Sequence, residues 1–122
     1  MIRVYISAPM TGLPDLNRPA MNAEAARLRS MGFDVVNPAE LDIPAGSSWD
    51  VCMRADIAAL VTCQGVALLP GHEGSRGVAL ERHIAEQLGM PVTRAEYITH
   101  GPGASARAAV STGLQPAFTE TS

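Results

Sequence analysis

The chain has 122 residues, of which 47% are hydrophobic and 17% charged, and its formal net charge at pH 7 is −3. This length and composition predict one globular domain and exclude a largely disordered chain. The slight negative net charge gives no electrostatic basis for binding nucleic-acid polymers or acidic membranes. Apolar runs such as 65–70 are far shorter than the roughly 20 residues that span a bilayer. Because residues 1–7 read as a strand and not as a signal peptide, we expect a cytoplasmic protein without a membrane partner.

Hydrophobic periodicity and breaker residues predict seven elements that alternate between strands and helices. In chain order these are a strand over 2–7, a helix that follows Asn17 and ends at Gly32, a strand over 33–36, a helix over 49–60 after Ser48, a strand over 65–69, a helix over 76–88 after Ser75, and a strand that begins at Pro91. Asn17, Ser48 and Ser75 are candidate N-caps. The alternation predicts an α/β fold: a single doubly wound, flavodoxin- or Rossmann-like three-layer domain with a parallel sheet of four to five strands, and the flavodoxin analogy predicts the order 2-1-3-4.

Residues 1–99 form the predicted domain, and the remainder of the chain differs from it in composition. Residues 100–122 are rich in Gly, Ala, Ser, Thr and Pro and have no hydrophobic period, which predicts a flexible C-terminal tail, with a partner-docking arm as the alternative. The two cysteines and three histidines are not closely paired, so we expect neither a disulfide framework nor a metal site.

Two carboxylates lie on the predicted apolar faces of their helices. Asp56 falls within the arc made by Trp49, Cys52, Met53, Ile57 and Leu60, and Glu81 falls within the arc made by Leu80, Ile84, Ala85 and Leu88. A carboxylate on a core-facing stripe is costly unless it is paired or lines a cavity. Pairing with a buried arginine or capping of a backbone group explains either residue alone, but two such residues on helices that flank one strand favour a shared polar cleft.

The loops after the first and third strands are expected to meet at this cleft. In open α/β sheets, ligands bind beyond the carboxyl ends of the strands, where the strand order reverses, so residues 7–12 and 70–75 should be neighbours there. The helix start Ser75-Arg76-Gly77 has free amides that suit a phosphate, although helix capping alone explains Ser75 equally well.

Three segments resemble the nucleoside 2-deoxyribosyltransferase superfamily, its hydrolytic relatives the 2′-deoxynucleoside 5′-monophosphate N-glycosidases, and its small phage and bacterial members. They are residues 4–12, 54–57 and 75–81. The resemblance implies that Glu81 is the nucleophile, that Asp56 orients the sugar and that Tyr5 hydrogen-bonds the nucleophile. It further implies a substrate-binding set of Ser7, Pro9, Met10, Gly12, Arg18, Ser75 and Gly77.

The chain also departs from the patterns of these families. It reads Gly74-Ser75-Arg76-Gly77 where many transferases have Asp-x-Gly-Thr, and it lacks the Gly-Gly-Arg-like first loop of the N-glycosidases. Arg76 or Arg18 is a candidate source of the missing positive charge, with a solvated surface arginine as the alternative. Trp49 is expected to pack its helix on the sheet, with base stacking as the alternative, and His72 is a loop histidine or a proton donor to the leaving base.

The resemblance predicts cleavage of an N-glycosidic bond, or 2-deoxyribosyl transfer, on a deoxynucleoside or its 5′-monophosphate, with no cofactor. The partner would be this small nucleoside or nucleotide, and the protein would form a homodimer or a larger homo-oligomer. The alternative is a non-catalytic module that binds or senses nucleotides in the same cleft, and a structural or interaction protein is a third reading.

Overall fold

The computed structural model describes residues 2–102, which form a parallel sheet covered by helices on both faces. The strands are β1 (Arg3–Ser7), β2 (Asp34–Val36), β3 (Gly65–Leu68) and β4 (Val92–Arg94), and they lie in the order β2-β1-β3-β4. All three pairings are parallel, and Tyr5 in the centre lies opposite Val36 on one side and Val66 on the other. The predicted α/β doubly wound fold and strand order are therefore confirmed.

Three helices connect the strands: α1 (Arg18–Ser30), α2 (Trp49–Leu60) and α3 (Arg76–Gln87). Side chains alternate along β1, so Val4 and Ile6 join a core cluster with α1, while Tyr5 joins a second cluster with residues of α2 and α3 on the opposite face. Because α1 and α3 leave the neighbouring strands β1 and β3 on opposite faces, a crevice opens between the carboxyl ends of these two strands.

Of the three predicted N-caps, only Ser75 makes the capping hydrogen bond: its Oγ accepts from the backbone N–H of Val78 at 3.2 Å. Ser48 precedes α2 without such a bond. Asn17 precedes α1 in a left-handed conformation with φ at 62°, which turns its amide away from the helix, and the amide donates to the Pro9 carbonyl at 2.9 Å. Asn17 therefore fastens the loop after β1 and does not cap α1.

The predicted element ends shift by one or two residues for local reasons. Phe33 precedes β2 because its backbone N–H bonds to the carbonyl of Leu28, in the last turn of α1, and not to a neighbouring strand. Leu88 was expected on the buried face of α3, but α3 ends at Gln87 and the chain turns at Gly89 with φ at 74°, so Leu88 is 59% exposed. That prediction was wrong.

The chain remains packed against α1 at the end of the described region. Pro102 is buried, and Gly101 lies so close to Met31 that an added Cβ would be 2.2 Å from the Met31 carbonyl oxygen. Residues 103–122, most of the predicted tail, lie outside the described residues. Within residues 2–102, no helix combines the length and apolarity that crossing a membrane requires, and no cluster of three or more His, Cys, Asp or Glu side chains is arranged to hold a metal ion.

Candidate active site

A cavity of about 290 Å³ lies at the carboxyl edge of the sheet, near the lower end of the roughly 300–1,000 Å³ typical of small-molecule sites. Its walls come from β1 and the loop that follows it, from α1 and the turn before it, from the segment after β2, from α2 and the loop before it, and from the start of α3. The lining residues are Ile6, Ala8, Met10, Thr11, Leu16, Met21, Pro38, Ser47, Trp49, Cys52, Met53, Asp56, Ser75, Gly77 and Glu81.

Glu81 forms the inner end of the site and is held by two hydroxyl groups from β1. It is only 4% exposed. The Ser7 hydroxyl donates to Glu81 Oε1 at 2.7 Å, and the Tyr5 hydroxyl donates to Glu81 Oε2. Residues two apart on a strand point to the same face, which brings both hydroxyls to α3. The carboxylate is thereby fixed in position with each of its oxygens accepting one hydrogen bond.

Asp56 reaches the same cavity from α2 and is 6% exposed. Among residues 2–102, no cation lies within 4.0 Å of either Asp56 or Glu81, and no side chain hydrogen-bonds the Asp56 carboxylate. The two acids therefore share one cavity and are not separately neutralised by arginines of the described scaffold.

Burial raises the pKa of both carboxyl groups. For Glu81 the loss of solvation outweighs the hydrogen bonds from Tyr5 and Ser7, and the negative charge of Asp56 adds to the effect, so its pKa lies at about 7. Burial alone raises the pKa of Asp56 to about 6. Burial, followed by the charge of Glu81, holds the pKa of Tyr5 well above its ordinary value, so the Tyr5 hydroxyl keeps its proton at neutral pH and remains a donor.

An arginine and a tryptophan lie together at the start of α3. The guanidinium carbon of Arg76 is 3.7 Å from the centroid of the Trp49 ring, within the range of a cation–π contact. Trp49 lines the cavity, as do Ser75 and Gly77 on either side of Arg76. No carboxylate of the described residues pairs with Arg76, so its positive charge beside the cavity is uncompensated.

Half of the ten predicted site residues line the cavity. They are Met10, Asp56, Ser75, Gly77 and Glu81. Tyr5 and Ser7 support Glu81 from the sheet. Pro9, Gly12 and Arg18 are not among the lining residues: the Pro9 carbonyl accepts from Asn17, and Arg18 pairs with Asp15 at 3.0 Å. His72, the candidate proton donor, lies outside the cavity lining with its Nε2 3.4 Å from Glu73.

The sequence analysis missed several walls of the cavity, including Leu16 and Met21. Asp15, Leu16 and Asn17 are consecutive residues with positive φ, at 50°, 52° and 62°. This conformation is rare outside glycine, so the residue types in this segment did not predict that Leu16 would reach the cavity. Cys52 was detectable, because it lies one helical turn before Asp56 and so shares its face of α2.

Comparison with known proteins identifies a family whose model covers most of the chain. The family described as Domain of unknown function (DUF4406) matches residues 2–94, which include all four strands and every residue of the cavity lining. No curated protein matches the chain. Because the description of the family assigns no function, the resemblance to nucleoside 2-deoxyribosyltransferases stays a prediction.

Proposed function

The chain belongs to the family described as Domain of unknown function (DUF4406). From its site we propose that it cleaves the N-glycosidic bond of a 2′-deoxynucleoside or its 5′-monophosphate, or transfers the 2-deoxyribosyl group to another base. Glu81 is the nucleophile in this proposal. The observation that carries it is a buried carboxylate, fixed by the Tyr5 and Ser7 hydroxyls, that lines a ligand-sized cavity together with the unpartnered Asp56.

The chemistry requires an ionised carboxylate in contact with C1′ of the sugar. A Glu81 oxygen attacks C1′ while the C1′–N bond breaks. The electron pair of that bond leaves with the base, which takes up a proton from solvent. Water then attacks C1′ of the glycosyl-enzyme and loses a proton to solvent as the bond from C1′ to Glu81 breaks, which releases the sugar and restores the carboxylate, or a second base takes the place of water. Positive charge develops on C1′ and the ring oxygen, and a carboxylate in a poorly solvated cavity stabilises that charge strongly.

Asp56 and the start of α3 supply the remaining contacts of this proposal. The Asp56 carboxylate has no partner among the described residues, so its oxygens are available to accept hydrogen bonds from sugar hydroxyls. Ser75 and Gly77 would face a 5′-phosphate, and the uncompensated charge of Arg76 favours the monophosphate over the nucleoside. The resemblance further implies that the protein forms a homodimer or a larger homo-oligomer, which sedimentation of the purified chain tests.

The test is incubation of the purified protein with 2′-deoxynucleosides and their 5′-monophosphates, followed by chromatographic detection of free base. We expect release from at least one monophosphate and its loss in Glu81→Gln. The matched control is Glu86→Gln on the exposed side of the same helix, which should retain activity. Absence of base release from every compound, or full activity in Glu81→Gln, would overturn the proposal.

Thermal denaturation of the same mixtures separates catalysis from the alternative of a nucleotide-binding module. A nucleotide that raises Tm and is recovered chemically intact would replace the catalytic proposal by the binding one, since ligands that bind only the folded state stabilise it. A nucleotide that raises Tm in Glu81→Gln but is consumed by the unmodified protein would support catalysis.

A further inference from the structure

The cavity wall is mainly apolar and rich in sulfur. Its apolar side chains come from both faces of the sheet and from the loop after β1, and they are Ile6, Ala8, Met10, Leu16, Met21, Pro38, Trp49 and Met53. Methionine side chains are flexible and polarisable, and their sulfur atoms make favourable contacts with aromatic rings. Such a wall fits a flat heteroaromatic ring through shape and dispersion.

Most of the polar side chains in the lining already have partners or assigned tasks. Both oxygens of Glu81 accept hydrogen bonds from β1, the Ser75 oxygen accepts from the Val78 backbone, and the Ser47 hydroxyl donates to the Pro44 carbonyl at 2.6 Å. Asp56 is assigned to the sugar in the proposed function. Thr11 is the other hydroxyl in the lining.

Of the side chains that read the edges of bases, the amide, cationic and imidazole types are missing from the described lining, and the carboxylates and hydroxyls that are present have, apart from Thr11, the partners or tasks given above. Asparagine and glutamine pair bidentately with adenine, and arginine or lysine with guanine, yet none of these residue types, nor histidine, is among the lining residues within 2–102. A site built to bond a particular polar group rejects a ligand lacking it by about 10⁴- to 10⁵-fold, whereas an apolar pocket discriminates between ligands that differ by one small group by only about 10- to 200-fold.

We propose that this cavity recognises the base of its ligand by ring shape and by contacts with Met10, Met53 and Trp49, and that removing an exocyclic hydrogen-bonding group from the base changes affinity little. The inference rests on the proposed function and adds the substrate class: 2′-deoxynucleotides selected by ring shape and not by the polar groups of one base. Met53 is central to it, because its sulfur lies against the start of α3, 3.3 Å from the position of a Cβ added to Gly77.

The experiment measures binding in Glu81→Gln, so that the leaving-group ability of the base does not enter. Its probes are 2′-deoxyadenosine 5′-monophosphate and the matching purine 2′-deoxyriboside 5′-monophosphate, which lacks only the 6-amino group. We expect the two dissociation constants to differ by no more than the roughly 10- to 200-fold discrimination of an apolar pocket. A loss of about 1,000-fold or more on removal of the amino group would overturn the inference while leaving the proposed function intact. Binding of neither probe, together with no base release by the unmodified protein, would overturn both.

Measuring the dissociation constants of both probes again in Met53→Ala tests whether the apolar cavity wall contacts the ring. If Met53 contacts the ring through dispersion, the substitution weakens binding of both probes by the same factor, so the ratio of the two dissociation constants stays constant. Met90→Ala is the matched control, since Met90 packs against the core on the same side of the sheet outside the cavity lining. Met10→Ala, in the half-buried loop, repeats the test if Met53→Ala does not fold. A change in the ratio above about tenfold in the cavity variants would assign polar recognition to this wall and overturn the inference.

Discussion

Replacing Glu81 with glutamine should change how the stability of the domain depends on pH. Burial raises the pKa of Glu81 from 4.5 to about 7, so the folded state binds this proton more tightly than the unfolded state. The stability that the proton contributes is fully present below pH 4.5 and is lost as pH rises to about 7. At about 1.4 kcal/mol per pKa unit, the interval corresponds to about 3 kcal/mol, a large share of the roughly 5–15 kcal/mol by which domains are stable.

Glutamine has nearly the same shape and carries no charge at any pH, so Glu81→Gln removes this loss. Its lost or rearranged hydrogen bonds to Tyr5 and Ser7 alter the stability by an amount that depends little on pH. We therefore expect the free energy of unfolding of the variant, relative to the unmodified protein, to rise by about 3 kcal/mol between pH 4.5 and pH 8. Urea denaturation followed by fluorescence of the single tryptophan, Trp49, measures this difference.

The control is Glu86→Gln, which removes an exposed carboxylate from the same helix and should shift stability by less than about 0.5 kcal/mol at each pH. Asp56 is present in all three proteins, so most of its own titration cancels in the differences. Parallel stability curves for Glu81→Gln and the unmodified protein from pH 4.5 to 8 would refute the reasoning, because they would mean that the carboxyl group has the same proton affinity in both states.

Two further substitutions test the geometry of the site. Tyr5→Phe removes a hydrogen bond that lowers the pKa of Glu81, so this pKa should rise. The acidic limb of the pH–rate profile for base release should therefore move to higher pH. An acidic limb that stays at the same pH would contradict the role of the Tyr5 hydroxyl. Gly77→Ala places a Cβ 3.3 Å from the Met53 sulfur and pushes the thioether into the cavity, so KM should rise severalfold in steady-state assays. The control is Gly74→Ala, whose Cβ meets nothing within 4 Å and which should leave KM unchanged. Equal KM values for these two variants would contradict the placement of Met53.

The parts of the site that the sequence could predict are those governed by regular periods. The 3.6-residue period of a helix placed Asp56 and Glu81 on buried faces, and the two-residue period of a strand placed Tyr5 and Ser7 together. The apolar run over 65–69 and the alternation of elements predicted the parallel sheet, whereas its strand order came from the analogy with flavodoxin-like sheets. Apart from the strand order, these features depend on local geometry alone.

Features that depend on tertiary contacts or on unusual backbone could not be predicted in this way. Leu16 reaches the cavity from a left-handed segment without glycine, and Asn17 has the composition of a cap but bonds to the loop after β1. Pro38 and Met21 become cavity walls only because β2 and α1 lie beside β1 in the assembled sheet. The hydrophobic period of one element does not show which other elements it contacts in the folded domain.

In the proposed reaction, the charges of the site favour the positive charge that develops at the sugar in the transition state over the uncharged sugar of the ground state. At neutral pH, Asp56 and Glu81 titrate in one poorly solvated cavity, and the ionisation of Asp56 raises the pKa of Glu81, so two negative charges in the site repel each other. The uncharged deoxyribose ring of the proposed substrate does not relieve that repulsion, whereas positive charge developing at its C1′ atom does. The free energy spent on holding both acids unpaired is thus returned as the C1′–N bond breaks, which is the differential stabilisation that catalysis requires. A scaffold that paired either acid with an arginine would lose this advantage.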